Sequence, residues 1–224
     1  MKIVFFGKRK RGYYCLTELL RTGSQVSLVV GHVDDDRGEY SVLTLAERHN
    51  IDTINPQNPN DKKTESILRL QEADLFILGG YGNIIKQNIL DLAKIMTINL
   101  HASRLPDVRG SSPLNWVLIN GHSSFTLSVI QVDYGVDTGP IILDRSFDIK
   151  INDTIVDLHK ITNQAFPEML TEVVYQIRDN TYKLREQKGN IRGYYPLRFP
   201  EDGLVLFDQL TAEQIHNRIR ALTE

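Results

Sequence analysis

The sequence predicts an α/β protein: a doubly wound, mostly parallel sheet with a small C-terminal α+β appendage. Three observations lead there. Short apolar runs alternate with amphipathic stretches over roughly the first hundred residues, the order that builds parallel strands with crossover helices. Two later runs, 125–132 and 141–149, alternate apolar and polar residues around a glycine-bracketed loop and read as an antiparallel strand pair. From residue 182 the chain turns polar, aromatic and rich in turn residues. The expected division is a main domain over 1–180 and an appendage over 181–224.

In order along the chain, 2–6 is a buried strand ending at Gly7, and the basic run 8–11 is a loop. Gly12 opens a helix to about residue 20. A strand over 25–30, a helix over 41–49 and a short strand over 52–55 follow. Asp61 is a candidate N-cap for a helix over 64–71. A strand over 73–78 ends in Gly79-Gly80-Tyr81-Gly82, and a helix over 86–93 leads to an apolar strand over 95–100. Residues 112–120 form a helix carrying Trp116, closed by Gly121. A long helix covers 154–177, with Asp153 as its cap and Pro167 as a position for a kink. The appendage is expected to hold a strand over 204–207 and a closing helix over 212–222.

Composition narrows the function. The 224 residues suit one large domain, or one domain plus an appendage, and 41% hydrophobic content supplies an ordinary core. A net charge of −2 gives no global field to recruit nucleic acid. No apolar run approaches a membrane span, and residues 1–7 read as a strand rather than a signal peptide. The single cysteine, Cys15, lies in an apolar helical pattern and reads as a buried small residue in a reducing, cytoplasmic protein. No Cys/His cluster has zinc spacing, so no metal is expected. The string Gly7-Lys-Arg-Lys-Arg-Gly12 is neither G-x-G-x-x-G nor a P-loop. Two readings of Lys8, Arg9 and their neighbours stand: a phosphate-holding helix start, or a solvated basic turn.

The chemistry concentrates in Thr97-Ile-Asn-Leu-His-Ala-Ser-Arg-Leu-Pro-Asp-Val-Arg-Gly110. Asn99 and His101 are two apart on a strand, so both face the same side. They stand at the carboxyl end of that strand, where open α/β sheets bind ligands. Downstream, Val132-Asp-Tyr-Gly-Val-Asp-Thr-Gly139 presents a carboxylate, Asp137, on its loop.

The string Asn99-x-His101-x-Ser103-x-Leu105-Pro106, Arg109-Gly110 and Asp137-Thr-Gly139 resembles the formyltransferases that use 10-formyltetrahydrofolate. The resemblance runs from Met1 to the last helix and is strongest over 97–140. It implies a Rossmann-like sheet and a catalytic set of Asn99, His101 and Asp137. Formyl transfer passes through a tetrahedral oxyanion, which needs a hydrogen-bond donor, and it must move an amine proton. Asn99 suits the first task. His101 suits either, and Asp137 orients His101 or carries the proton. The resemblance also implies a folate site at Gly80, Tyr81, Gly82, Asn83 and Ile84 and at Val132, Asp133 and Gly135. Tight-turn geometry explains the same glycines equally well.

Three branches of the family compete for the acceptor. The Lys8–Arg11 run replaces the Gly/Ser-rich phosphate loop of the glycinamide ribonucleotide transformylases. The methionyl-tRNA formyltransferases continue into a basic barrel past the point where this sequence stops. Sugar N-formyltransferases carry stretches similar to Tyr195-Pro-Leu-Arg-Phe-Pro-Glu-Asp-Gly203 and to the closing helix. The expected acceptor is therefore a nucleotide-linked amino sugar, for surface polysaccharide synthesis, in a homodimeric enzyme that binds no nucleic acid or membrane. Its expected contacts are Lys8, Arg9, Ser103, Arg109, Arg192, Tyr195 and Arg198. Ser103 and Arg109 suit shaping the loop, and Arg109 could also meet an anion; for the other arginines and Tyr195, solvated or turn-packing roles stand as the alternative. The Pro-Tyr-Pro-Gly turn that usually follows the last helix is absent, and a truncated gene product is one reading of that. The alternatives are a methionyl-tRNA formyltransferase-like enzyme without the barrel and a non-catalytic folate-binding module.

Overall fold

Strand β1 (Lys2–Gly7) lies inside a seven-stranded sheet in the computed structural model, which describes residues 1–189 and 193–223. Its side chains alternate between two cores. Ile3 and Phe5 join Leu16, Ile77, Ile98 and Phe166 on one face, while Val4 and Phe6 join Leu28, Phe76 and Ile89 on the other. A strand covered on both faces is apolar throughout, which is why β1 reads as a continuous run rather than an alternation.

The chain continues through α1 (Arg9–Arg21), β2 (Gln25–Gly31), α2 (Val42–Arg48), β3 (Asp52–Ile54), α3 (Lys62–Gln71), β4 (Leu75–Gly79), α4 (Gln87–Leu90) and β5 (Met96–His101). Then come β6 (Arg109–Gly110), α5 (Pro113–Ile119), β7 (Ser124–Gln131), β8 (Ile141–Asp148) and α6 (Ile155–Arg178). The last elements are β9 (Tyr194–Tyr195), a 3-10 helix (Pro200–Gly203) and α7 (Ala212–Arg220). The sheet order is β3-β2-β1-β4-β5-β7-β8, parallel through β5 and antiparallel beyond it. This is the doubly wound, mostly parallel, Rossmann-like architecture that the alternation of elements predicts. From β1 the chain winds first toward β3 and then back past β1 to β4. The switch point falls between β1 and β4, whose last residues, Gly7 and Gly79, pair with each other.

Several boundaries differ from expectation, each for a physical reason. Helix α1 begins at Arg9, so the basic residues sit in its first turn. Gly12 is a packing glycine instead: a Cβ there would lie 3.0 Å from Gly79 O. Asp61 does cap α3, accepting from Thr64 N at 2.7 Å. Helix α6 is capped by Thr154 and not by Asp153. The Asp157 carboxylate accepts from the Thr154 N–H at 2.9 Å and from its hydroxyl at 2.8 Å, and the helix runs on through Pro167. Helix α4 is a single turn. Residues 204–207 form no strand. They pair with no strand among the described residues, and Leu204 and Phe207 are exposed. The small second sheet is instead β6 paired with β9, joining the 97–110 stretch to the C-terminal segment. That segment is fastened to the main body: α7 packs on α5, Ala221 is fully buried, and Arg220 Nη1 donates to Lys150 O at 3.0 Å.

Cys15 is fully buried on α1, and burial pushes its thiol up to about 12, against the opposing pull of nearby Arg11. Almost no thiolate exists at neutral pH, and the thiolate is the nucleophile. Ellman's reagent is therefore expected to leave the native protein unmodified at pH 8 and to find one thiol after unfolding in guanidinium. Rapid stoichiometric reaction of the folded protein would contradict this placement.

Candidate active site

The site is built at the carboxyl end of β5. Ile98 and Leu100 point into the core, so Asn99 and His101 share the other side of the strand. Asn99 pairs with Leu78 of β4 and Ile130 of β7, and His101 with Ser128 of β7, so both residues sit on rigid backbone. The chain then folds back. Ser103 has no exposed surface; its hydroxyl donates to Val108 O, and its carbonyl accepts from Ser128 Oγ at 2.9 Å. The same Val108 carbonyl lies 2.9 Å from His101 Nε2. A carbonyl only accepts, so Nε2 carries a proton and Nδ1 is the ring atom turned toward the site.

Asp137 completes the group. Its Oδ2 accepts from Gly110 N at 2.9 Å. Its Oδ1 lies 3.4 Å from both Asn99 Nδ2 and His101 Nδ1. The side chains of His101 and Asp137 are 6% and 11% exposed, so their interaction is screened little by water. Asp137 has a φ of +54°, a left-handed conformation that a non-glycine residue holds only when its surroundings impose it. Gln187 supplies part of that support: its Nε2 donates to Asp137 O at 2.8 Å and to Gly139 O at 2.7 Å.

The glycine-rich segment after β4 is a shaped turn beside this group. Gly80 has a φ of +73°, and its Cα faces the Arg11 side chain. Tyr81 turns inward: its ring packs edge-on against Phe6, its hydroxyl reaches toward Gly31 O, and burial raises its phenol above the usual value. Gly82 and Ile84 are exposed and Asn83 is half-buried. Asn60 holds the far end through Ile84 O and Lys86 N. On the other side of β5, Val132 N donates to Thr97 O at 2.8 Å, and the Asp133 carboxylate organises its own loop by accepting from Gly135 N and the Thr138 hydroxyl.

The residues expected to contact the acceptor are dispersed. Lys8 is paired with Asp34 at 2.6 Å, and Arg9 is largely exposed. Arg109 is 7% exposed and bound through two nitrogens to Gln187, so like Ser103 it shapes the loop. Tyr195 packs on Trp116 with ring centroids 5.5 Å apart, and the Arg198 guanidinium lies 5.6 Å from the Trp116 ring. Burial lowers the Arg198 pKa, and its buried Nη1 has no hydrogen-bond partner among the described residues. Arg192 lies outside the described residues. Trp116 and Gln187 were not picked out by the sequence as site residues. Gln187 is 50 residues from Asp137, and no local pattern announces that meeting.

The formyl transferase family profile matches residues 1–174. The chain is 33% identical over its whole length to the bifunctional polymyxin resistance protein ArnA of Wigglesworthia glossinidia brevipalpis, spanning 35% of that protein. It is 32% identical to the methionyl-tRNA formyltransferase of Pelobacter propionicus over 98% of this chain and 70% of that one. Among solved structures, an N-formyltransferase from Helicobacter canadensis, in complex with folinic acid and dTDP-3-aminofucose, superposes with a TM-score of 0.81 at 23% identity. That match covers 99% of this chain and 80% of the other. With the profile covering most of the sequence, the chain belongs to the formyl transferase family.

Proposed function

We propose that this formyltransferase moves a formyl group from 10-formyltetrahydrofolate to the amine of a nucleotide-linked amino-deoxy sugar, with Asn99, His101 and Asp137 as its catalytic residues. The observation that carries the reading is the convergence of Asn99 Nδ2 and His101 Nδ1 on one oxygen of Asp137. The acceptor nitrogen attacks the formyl carbon, and the carbonyl pair moves onto oxygen. Asn99 Nδ2–H donates to that oxyanion. The nitrogen sheds a proton toward Asp137 Oδ1, directly or through water, because Oδ2 is already held by Gly110 N. Collapse restores the C=O bond and breaks the bond to folate N10, which takes up a proton relayed through His101.

The Gly82–Ile84 segment, exposed at both ends, and the Val132–Gly135 loop flank β5 and suit a planar pterin, which needs backbone hydrogen bonds and close approach. For the acceptor, the reading rests on Trp116, Tyr195 and Arg198. These form an aromatic surface with a buried guanidinium nitrogen that has no hydrogen-bond partner among the described residues, close to Gly110 through β9. Such a group suits a base and a diphosphate. A net charge of −2 suits one small anion better than a polyanion. In this reading residues 181–224 close the acceptor side, and the protein is a cytoplasmic homodimer serving surface polysaccharide synthesis. Among the described residues, no helix is long and apolar enough to cross a membrane.

A second reading, with methionyl-tRNA as acceptor, is favoured by the identity to the Pelobacter propionicus enzyme. One experiment separates them: initiator methionyl-tRNA and dTDP-, UDP- and GDP-linked 3-amino and 4-amino sugars, each offered with 10-formyltetrahydrofolate and read by mass. Formylation of at least one amino sugar with the tRNA inert is expected. Efficient tRNA formylation with every sugar inert would overturn the sugar reading.

A further inference from the structure

The Asp137 loop is held from outside by a residue of the C-terminal segment. Arg185 and Ile141 form an antiparallel bridge, with N–H···O distances of 2.9 and 2.8 Å in the two directions. Continuing that register by two residues sets Gln187 opposite Gly139. Its amide then meets two different demands. The carbonyls of Asp137 and Gly139 need donors, and Nε2 gives them both of its hydrogens at 2.8 and 2.7 Å. Arg109 needs an acceptor, and Oε1 takes Nε at 3.2 Å and Nη2 at 2.7 Å. A primary amide offers two donors and two lone pairs, and all four are used. A carboxylate has no donor for the carbonyls, and an ammonium has no acceptor for Arg109.

What Gln187 joins are the two pieces of backbone that position the Asp137 carboxylate. One is Asp137 itself, in its left-handed conformation. The other is the Arg109–Gly110 strand, whose Gly110 N–H anchors Oδ2. We propose that Gln187 is a positioning residue for formyl transfer, acting through Asp137 by locking its loop against the Arg109–Gly110 strand. The proposal rests on the catalytic role given to Asp137 above. The Gln187 side-chain hydrogen bonds go to Arg109 and to the Asp137 and Gly139 carbonyls, not to Asn99, His101 or the Asp137 carboxylate.

The test is a double-mutant cycle on the whole chain, using Gln187→Leu, Asp137→Asn and the pair. Turnover is measured with 10-formyltetrahydrofolate and whichever member of the acceptor panel is formylated. A second readout needs no acceptor: the His101 ring signals in 15N-histidine-labelled protein, assigned by their loss in His101→Gln. Gln187→Leu is expected to lower kcat on the order of tenfold to a hundredfold, as loss of alignment at a reacting centre does, with a smaller change in donor KM. In the Asp137→Asn background it should cost little more, because residues that act as one unit are not additive. The His101 signals should move in Gln187→Leu in the direction they move in Asp137→Asn. Wild-type kcat and unmoved His101 signals, or full additivity in the cycle, would overturn the proposal. If Gln187→Leu does not fold, Gln187→Glu replaces it. That variant keeps the Arg109 contact and sets an anion against the two carbonyls, and wild-type behaviour in it overturns the proposal equally. An Asp137→Asn variant with normal turnover and normal His101 signals would instead overturn the site reading, a result distinct from an inert Gln187→Leu.

Discussion

Asp137→Asn is expected to lower formyl transfer on the order of a hundredfold or more while leaving 10-formyltetrahydrofolate binding nearly intact, and His101→Ala to do the same. The geometry says why so small a change as carboxylate to amide is enough. The Gly110 N–H needs an acceptor, so the new amide turns its oxygen there and its NH2 toward Asn99 and His101. The proton acceptor of the site is then gone. His101, whose Nε2–H is already directed at Val108 O, can only accept at Nδ1, which fixes the neutral ring in one tautomer. Neither change removes a surface against which the pterin would lie. Single-turnover formylation by mass, alongside equilibrium binding of the folate, checks both halves. Turnover within about threefold of wild type in either variant, against the losses typical of such groups, would sink the assignment.

Gly110→Ala is expected to damage stability and activity together. A Cβ there would sit 2.3 Å from Tyr195 O, a backbone atom with no freedom to withdraw, and the residue has a φ of +99°. Strain of this kind costs on the order of 1–3 kcal/mol before any clash is counted. The clash would push β6 from β9 and carry the Gly110 N–H away from Asp137. The urea midpoint and kcat should therefore both fall. Gly23→Ala is the matched control: φ there is +75°, but nothing lies within 4 Å of the new Cβ, so it carries backbone strain alone and leaves kcat unchanged. Equal behaviour of the two variants would show that the β6–β9 contact has no bearing on the site.

These residues also show what the sequence makes legible. Asn99 and His101 are readable because an i, i+2 pair on a strand shares a face whatever the rest of the chain does. Asp137 is readable because glycines bracket it. The buried strands are readable as unbroken apolar runs. The start of α1 is misread because Gly12 looks like a helix opener, whereas its lack of a side chain serves packing against Gly79. Residues 204–207 carry a strand-like pattern but pair with no strand among the described residues, and apolar alternation alone does not make a ladder. Tyr195 is readable only as a candidate, and Gln187 not at all, because pairings far along the chain set where they lie. Such pairing leaves no periodic trace.

The β6–β9 ribbon and the Gln187 clamp bear on how this enzyme is divided into evolutionary units. The family profile stops at residue 174, yet the carboxylate loop is fastened by residues 187 and 194–195, beyond that limit. The structural module is thus larger than the segment that the family profile matches. Grafting a foreign tail onto residues 1–174 would remove the residues that fasten the Asp137 loop. A productive chimera would have to join downstream of Tyr195, in the turn-rich stretch before the 3-10 helix.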